Sequence, residues 1–476
     1  MRLSSMKVLN QHEMDGIHAA ALRILEEVGF GTNSSEVAEL ARQAGFRMSD
    51  GTCRVLHKAV ERALGSVPPR FRLYDPKGDS FREIGAGEPL FFSGHQAVFV
   101  HDFGVEHVRP GNRDDVLQFV ITANALDAID GIAVPVYPQE VPRPAALVHA
   151  MEVMLSHTRK PMFFAPERED DFQTICALAR LATKSEDLGR RPCLIAQPSP
   201  ISPLFWVDGS SQCIIAAARM GVPCVSLHQI IPGMSGPVTL AGTLALHHAE
   251  FLLSLVIMQL VNPGAPVIYP GAWVTFDMAG GGIDIGAPEK YLLSIASVQM
   301  ARYLHVPCMA AGPDTNAHTL DLQNGAEKSL SGAADAFAKT DIIVNAGMFS
   351  NALTVSLEQL VIDAELISMY RRMLRGIEVS EESIALDVIE RVGIKGEYLS
   401  DPHTLQFFRT ELWDTGKSLF QRDKMDKWKA QGGREVAELA HDRVARILAE
   451  PAQPFVDAGI GQKMRGVVAD FESRHR

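Results

Sequence analysis

Along the middle of the chain the apolar positions fall into short unbroken runs, each opened by a proline and each ending in polar or glycine-rich sequence. The runs are 161–165, 192–196, 223–227, 266–269 and 307–311, and their prolines lie 31, 31, 43 and 41 residues apart. Each run is too short for a helix and apolar on both faces, so it reads as a strand buried on both sides. Between runs lies enough chain for one helix and two loops. A repeated buried strand plus crossover helix is the βαβ unit of a parallel sheet.

Two further segments join the series. Residues 131–136 give a strand before the first proline run, and 341–345 give one after the last. Seven strands are one short of a closed barrel, and the eighth is sought within 355–362 or elsewhere in the chain. The expected fold is α/β, a (β/α)8 barrel with extensions at both ends. The N-terminal extension, 1–110, starts with helical spacing over 10–30, a helix start at 33–36 and a third helix at 56–64. Its texture then changes to alternating runs with Gly and Asp-Pro breaks over 71–108, which reads as hairpins, most definitely at 89–102. A helix opened by Asp114 and Asp115 begins the barrel core, 111–375. A more charged helical cap, 376–476, follows, and no linker divides the parts into separate units.

Composition narrows the classes. Of 476 residues, 46% are apolar and 21% charged, an ordinary globular balance, and the net charge is −12. No basic excess exists to neutralise phosphates, so nucleic acid and anionic membrane are excluded as expected partners. Only 240–261 resembles a membrane span. It carries His247, His248 and Glu250, which makes it a buried barrel helix. The polar N-terminus shows no secretory signal, and the six cysteines form no C-x-x-C pair; free thiols in a reducing cytoplasm are expected.

The proline runs also supply a map. Proline costs least at a strand start, so the residue after it lies at the bottom of the barrel. Cys193, Cys224 and Cys308 all hold that position, away from the face where barrel enzymes do chemistry. They read as packing residues, and no metal site is expected.

At the top the map places Tyr137, Glu140, Glu167, Gln197, Ser199, Phe205, Trp206, His228, Gln229, Tyr269, Trp273, Phe276, Asp314, Asn316, His318, Asn345 and Phe349. The set is rich in aromatics and neutral polar groups. Trp206, Tyr269, Trp273 and Phe276, with Phe349 and Gln197, are candidate substrate-binding residues, because aromatic faces hold a quaternary ammonium by cation–π attraction. The competing reading is that these aromatics fill the core. The Gly-rich loop 235–242 lacks the lysine of a phosphate loop and matches no dinucleotide fingerprint.

Several blocks together carry a family resemblance. They are 235–243 (Ser-Gly-Pro-Val-Thr-Leu-Ala-Gly-Thr), Ala249-Glu250, and 259–269 (Gln-Leu-Val-Asn-Pro-Gly-Ala-Pro-Val-Ile-Tyr). With them come Ala287-Pro288-Glu289, Asp321-x-Gln323-x-Gly325-x-Glu327-Lys328, 99–102 with Arg109-Pro110, and 402–404. Over nearly its whole length the chain resembles the trimethylamine methyltransferase family. The resemblance implies a TIM-barrel enzyme moving a methyl group from a methylated amine to the cobalt of a corrinoid protein, with no tightly bound cofactor of its own. Founding members carry pyrrolysine; this sequence shows only standard residues and is similar to the branch acting on glycine betaine, proline betaine and carnitine. The chain departs from the family at 315–318, where Thr-Asn-Ala-His replaces the usual Thr-Asp-Ser-Lys.

The implied reaction leaves a neutral tertiary amine, so positioning and desolvation outweigh acid–base work. A substrate carboxylate would need donors, for which His318, Asn316, His228 and Gln197 are the candidates, and His318, Asn316 and His228 are also the candidate catalytic residues. The alternatives are demethylation of another amine such as choline, a lyase or aldolase on the same barrel, and a betaine-binding protein without turnover. The sequence leaves a homo-oligomer open.

Overall fold

The computed structural model describes residues 4–413 and 418–475. Eight parallel strands close a barrel: β1 Leu90–Ser93, β2 Gly131–Ala133, β3 Met162–Phe164, β4 Leu194–Ala196, β5 Cys224–Val225, β6 Val267–Gly271, β7 Cys308–Ala311 and β8 Ile342–Ala346. Each pairs with its neighbour in sequence, and β1 closes the ring between β8 and β2. All five proline runs and both flanking segments are barrel strands.

The eighth strand lies in the segment read as a hairpin. Leu90–Ser93 is buried at every position, the same two-faced apolar signature as the proline runs. No helix precedes it, so it escaped the repeat. The segment around 355–362 instead forms a two-residue strand, Thr354–Val355, and the start of the helix Leu357–Arg375.

Period-two alternation divides the strands' side chains. Leu90, Phe92, Ala133, Phe163, Ile195, Val225, Ile268, Met309, Ile342 and Val344 form one buried apolar cluster inside the barrel. Their neighbours Phe91, Phe164, Leu194, Tyr269 and Ile343 face outward and join the larger core beneath the helices. The helix Leu240–Val261 is part of that shell, buried along most of its length.

The bottom of the barrel is plugged. The hairpin Phe71–Tyr74/Phe81–Ile84 inserts Leu73 and Ile84 into the interior cluster. Asp341, just before β8, fastens the plug: its carboxylate accepts from Gly85 N (3.1 Å), Gly87 N (3.2 Å), Cys308 N (2.9 Å) and Arg302 Nη1 (2.8 Å). Cys193, Cys224 and Cys308 are buried at this end, and burial pushes the Cys193 thiol up to about 12. Such thiols stay protonated.

Candidate active site

At the top, chain geometry concentrates polar groups over the lumen. After β1, Gly94 turns with φ +72°, and an added Cβ would sit 2.7 Å from Pro135 Cα. This close approach carries His95 beside Phe163, with ring centroids 5.7 Å apart. Gln197 follows Ile195 by two positions, so alternation keeps it on the lumen side; its N–H donates to Phe164 O (2.8 Å). Asn345 sits at φ +89°, unusual for a non-glycine residue. Its Nδ2 donates to Asp314 Oδ1 (2.8 Å), while Lys290 Nζ bonds the other Asp314 oxygen and Ala311 O (2.7 Å).

Four side chains therefore meet: His95, Gln197, Asp314 and Asn345. Burial pushes the His95 imidazole down to about 4, against the opposing pull of the Asp314 charge and of the nearby Gln197 side chain. His95 is thus neutral near pH 7. Three buried atoms in this group, His95 Nε2, Gln197 Oε1 and Asn345 Oδ1, have no hydrogen-bond partner among the described residues. Buried polar atoms are nearly always paired, so this concentration makes the cluster the candidate ligand site.

A second space adjoins the first. Gln96, next to His95, donates to Tyr137 Oη and to Ala165 O (3.2 Å). Tyr137 in turn lines a cavity of about 730 Å³ with Gln139, Arg143, Leu147, Glu167 and Asp171. Burial, then the charge of Glu167, raises the Tyr137 phenol and keeps it protonated.

Of the residues anticipated for the site, Gln197 lies in this cluster. Three aromatics lie elsewhere. Tyr269 points outward from β6: its Oη is 3.1 Å from His248 Nδ1 and its ring packs on Phe251. Trp273 lies four positions on and also faces outward, donating Nε1–H to Ser297 Oγ (2.8 Å). Trp206 is buried where Phe205–Trp206 pairs with the N-terminal extension. The proline map ranks residues along a strand but carries no parity, so it assigned their height and not their face.

The remaining candidates serve the rim or the shell. Phe276 is half-buried on the hairpin Thr275–Asp277/Gly282–Asp284 above β6, opposite Ile283. Phe349 is buried after β8, edge-on to His101. His228 turns into the shell, with Nε2 2.7 Å from Ser254 Oγ and Nδ1 3.0 Å from Glu250 Oε2. Asn316 Oδ1 accepts from Ile285 N (2.8 Å) and Gly286 N (2.9 Å), tying the β6 hairpin to the β7 loop. His318 is exposed, 2.6 Å from Ser350 Oγ. The segment that departs from the family wording thus joins neighbouring loops.

His95 and Lys290 were missed. His95 had been placed in a hairpin; the signal was a Gly-His pair directly after a doubly apolar run. Lys290 lies inside the helix Pro288–Tyr303 and reaches the site only through tertiary packing.

A family model described as trimethylamine methyltransferase (MTTB) matches residues 1–474. The chain belongs to the trimethylamine methyltransferase family. It is 29% identical over 471 residues to the trimethylamine methyltransferase MttB of Desulfitobacterium hafniense (strain DSM 10664 / DCB-2), covering 98% of this chain and 94% of that protein. It is 27% identical over 470 residues to a glycine betaine methyltransferase of Desulfitobacterium hafniense (strain Y51), covering 98% and 97%. The crystal structure of the Methanosarcina barkeri monomethylamine methyltransferase matches with a TM-score of 0.50 at 11% identity, over 93% of this chain and 89% of that one. That likeness concerns the fold, the same barrel with its surrounding helices. Family membership makes the chain an enzyme of methylated-amine methyl transfer.

Proposed function

We propose that the protein removes a methyl group from a quaternary amine of the glycine betaine type and passes it to the cobalt of a cognate corrinoid protein. The observation that carries this reading is the lumen cluster: Gln197 Oε1, Asn345 Oδ1 and the Asp314 carboxylate beside a neutral imidazole. A trimethylated nitrogen has no proton to donate. Its positive charge is spread over its methyl groups, which oxygen acceptors attract by C–H···O contact and charge. Gln197, Asn345 and Asp314 hold the ammonium, and the apolar walls Phe163 and Leu227 exclude water.

The partner's corrinoid supplies the nucleophile, a cobalt(I) lone pair that takes the methyl while the C–N electrons stay on nitrogen. The face around the lumen fits a protein partner, because Met234, Val238 and Met278 stand exposed on the loops after β5 and β6, and Leu322 stands exposed at the start of the helix after β7. The enzyme's own residues have no proton to move. They orient one N–CH3 bond outward and keep the site dry.

The lyase reading loses support from the lysines. Lys160 is spent at the bottom on three carbonyls, Ala123, Leu126 and Ile129. Lys290 and Lys328 are each ion-paired, with Asp314 and Asp363. None presents a free amine to the lumen.

One observation favours a second reading. His228, Asn316 and His318, the donors expected for a substrate carboxylate, are all engaged away from the lumen. A methylated amine without a carboxylate, such as choline, fits the acceptor-rich cluster equally in charge. Calorimetry with glycine betaine, proline betaine, carnitine, choline and trimethylamine separates the two. Mass spectrometry of the demethylated amine, with reduced corrinoid protein present, tests transfer itself. Binding of none of them, or binding without a demethylated product, overturns the proposal.

A further inference from the structure

One segment stands apart from the barrel. The helix Leu357–Arg375 follows β8 and runs back down, and near its end Arg371 bonds Asp130, just before β2. The chain then leaves the barrel at Gly376 and returns at Glu411. Arg372 clasps both points: its Nη1 donates to Gly376 O (3.1 Å) and its Nη2 to Glu411 O (2.6 Å). The excursion thus starts and ends at the bottom of the barrel, opposite the lumen opening.

Between those points lie three short helices, Glu381–Ile384, Leu386–Val392 and Pro402–Glu411, with almost no core of their own. Only Ala385, Val388 and Asp401 are buried. Large apolar residues instead face water. Ile394 is 98% exposed, Leu399 and Leu405 76% each, and Ile384, Leu386 and Phe408 more than half. Leu405 and Phe408, at i and i+3, share one face of the last helix, and exposed Leu412 follows its end.

We infer that the excursion 376–412 is an association arm covered by a second copy of this chain. Ten large apolar side chains over 379–412 are each more than two-fifths exposed. At on the order of 100 Å² of apolar surface per fully exposed side chain, with roughly three-fifths of each exposed on average, they offer roughly 600 Å². A stable interface buries about 800 Å² per partner, polar and backbone surface included, so the arm supplies enough for one. Position selects the occupant: a corrinoid protein must reach the lumen at the top, and the arm lies at the other end. Charge disfavours a membrane: the arm holds eight acidic residues against three Lys or Arg, the reverse of what anionic lipid attracts. Association through the bottom leaves the substrate face of each copy open to its partner protein.

Light scattering and sedimentation on the full chain test this. Wild type should be dimeric or larger at tens of micromolar. The double variant Ile394→Glu/Leu399→Glu should dissociate with at least about a tenfold rise in Kd, and its melting should stay cooperative, since both residues are exposed in the single chain. A second variant replaces 378–409 with a short Gly-Ser linker across the gap that Arg372 spans, and it should also be monomeric. A monomeric wild type overturns the inference, as do variants that keep the wild-type mass. So does wild-type co-sedimentation with anionic vesicles that the double variant loses.

Discussion

The two ends of the barrel are built from the same strands and treat polar groups in opposite ways. At the bottom, a single carboxylate, Asp341, is saturated by three backbone N–H groups and a guanidinium, and Leu73 and Ile84 fill the space above it. At the top, His95, Gln197 and Asn345 keep buried atoms without partners among the described residues. A buried polar atom left unpaired costs about 1–3 kcal/mol. The bottom therefore contributes stability, and the top gives up stability for a place where a ligand can complete the bonding.

The sharpest way to break this comparison is at Asp341. Asp341→Ala strands a partly buried guanidinium and three amides, and should cost about 3–5 kcal/mol in denaturant unfolding. Amine affinity of the remaining folded protein should be unchanged. A loss of affinity at full stability would reverse the roles of the two ends.

The next effect is read in pH. The folded His95 holds its pKa at about 4 against 6.5 for the free side chain. Between those values the unfolded chain binds the extra proton, so stability is full above pH 6.5 and falls as pH drops towards 4. The contribution is at most about 3 kcal/mol at 1.36 kcal/mol per pH unit. In His95→Gln the stability slope over this window should flatten, measured by chemical denaturation at fixed pH values. An unchanged slope would place the imidazole in contact with water.

Gln197→Leu sharpens the comparison from the ligand side. It removes an unpaired carbonyl, so stability should hold or rise slightly, while quaternary-amine affinity should fall by about 1–3 kcal/mol in calorimetry. Equal losses in both would make Gln197 a packing residue. The smallest effect is expected outside the lumen. Trp273→Phe loses the bond to Ser297 and should cost about 1 kcal/mol of stability, with amine affinity within twofold. A tenfold affinity loss would put that ring back at the substrate.

Much of this molecule was legible before its structure. Both-face apolar runs gave seven of the eight strands, and proline at their starts gave the direction of each. Leu90–Ser93 carried the same signature and was missed because no helix leads into it. The candidate site was less legible. Asp314, Asn345 and Gln197 were on the list of residues above the barrel, yet so were Tyr269 and Trp273, which pack behind it. His95 was hidden because its turn resembled a hairpin, and Lys290 because it sits inside a helix with nothing local to distinguish it.

The sequence by itself determined the barrel, the sense of its strands and the family, and it pointed to the end of the barrel where such enzymes do their chemistry. These follow from local rules, a run's length, its apolarity and the missing N–H of proline. Only the tertiary structure decided which side chains enter the lumen. That choice depends on strand parity relative to ring closure, on the left-handed turn at Asn345 and the close approach at Gly94, and on partners such as Lys290 brought from distant sequence. A one-residue step along a strand exchanges lumen for shell, so position along the strand fixed height while packing alone fixed the face.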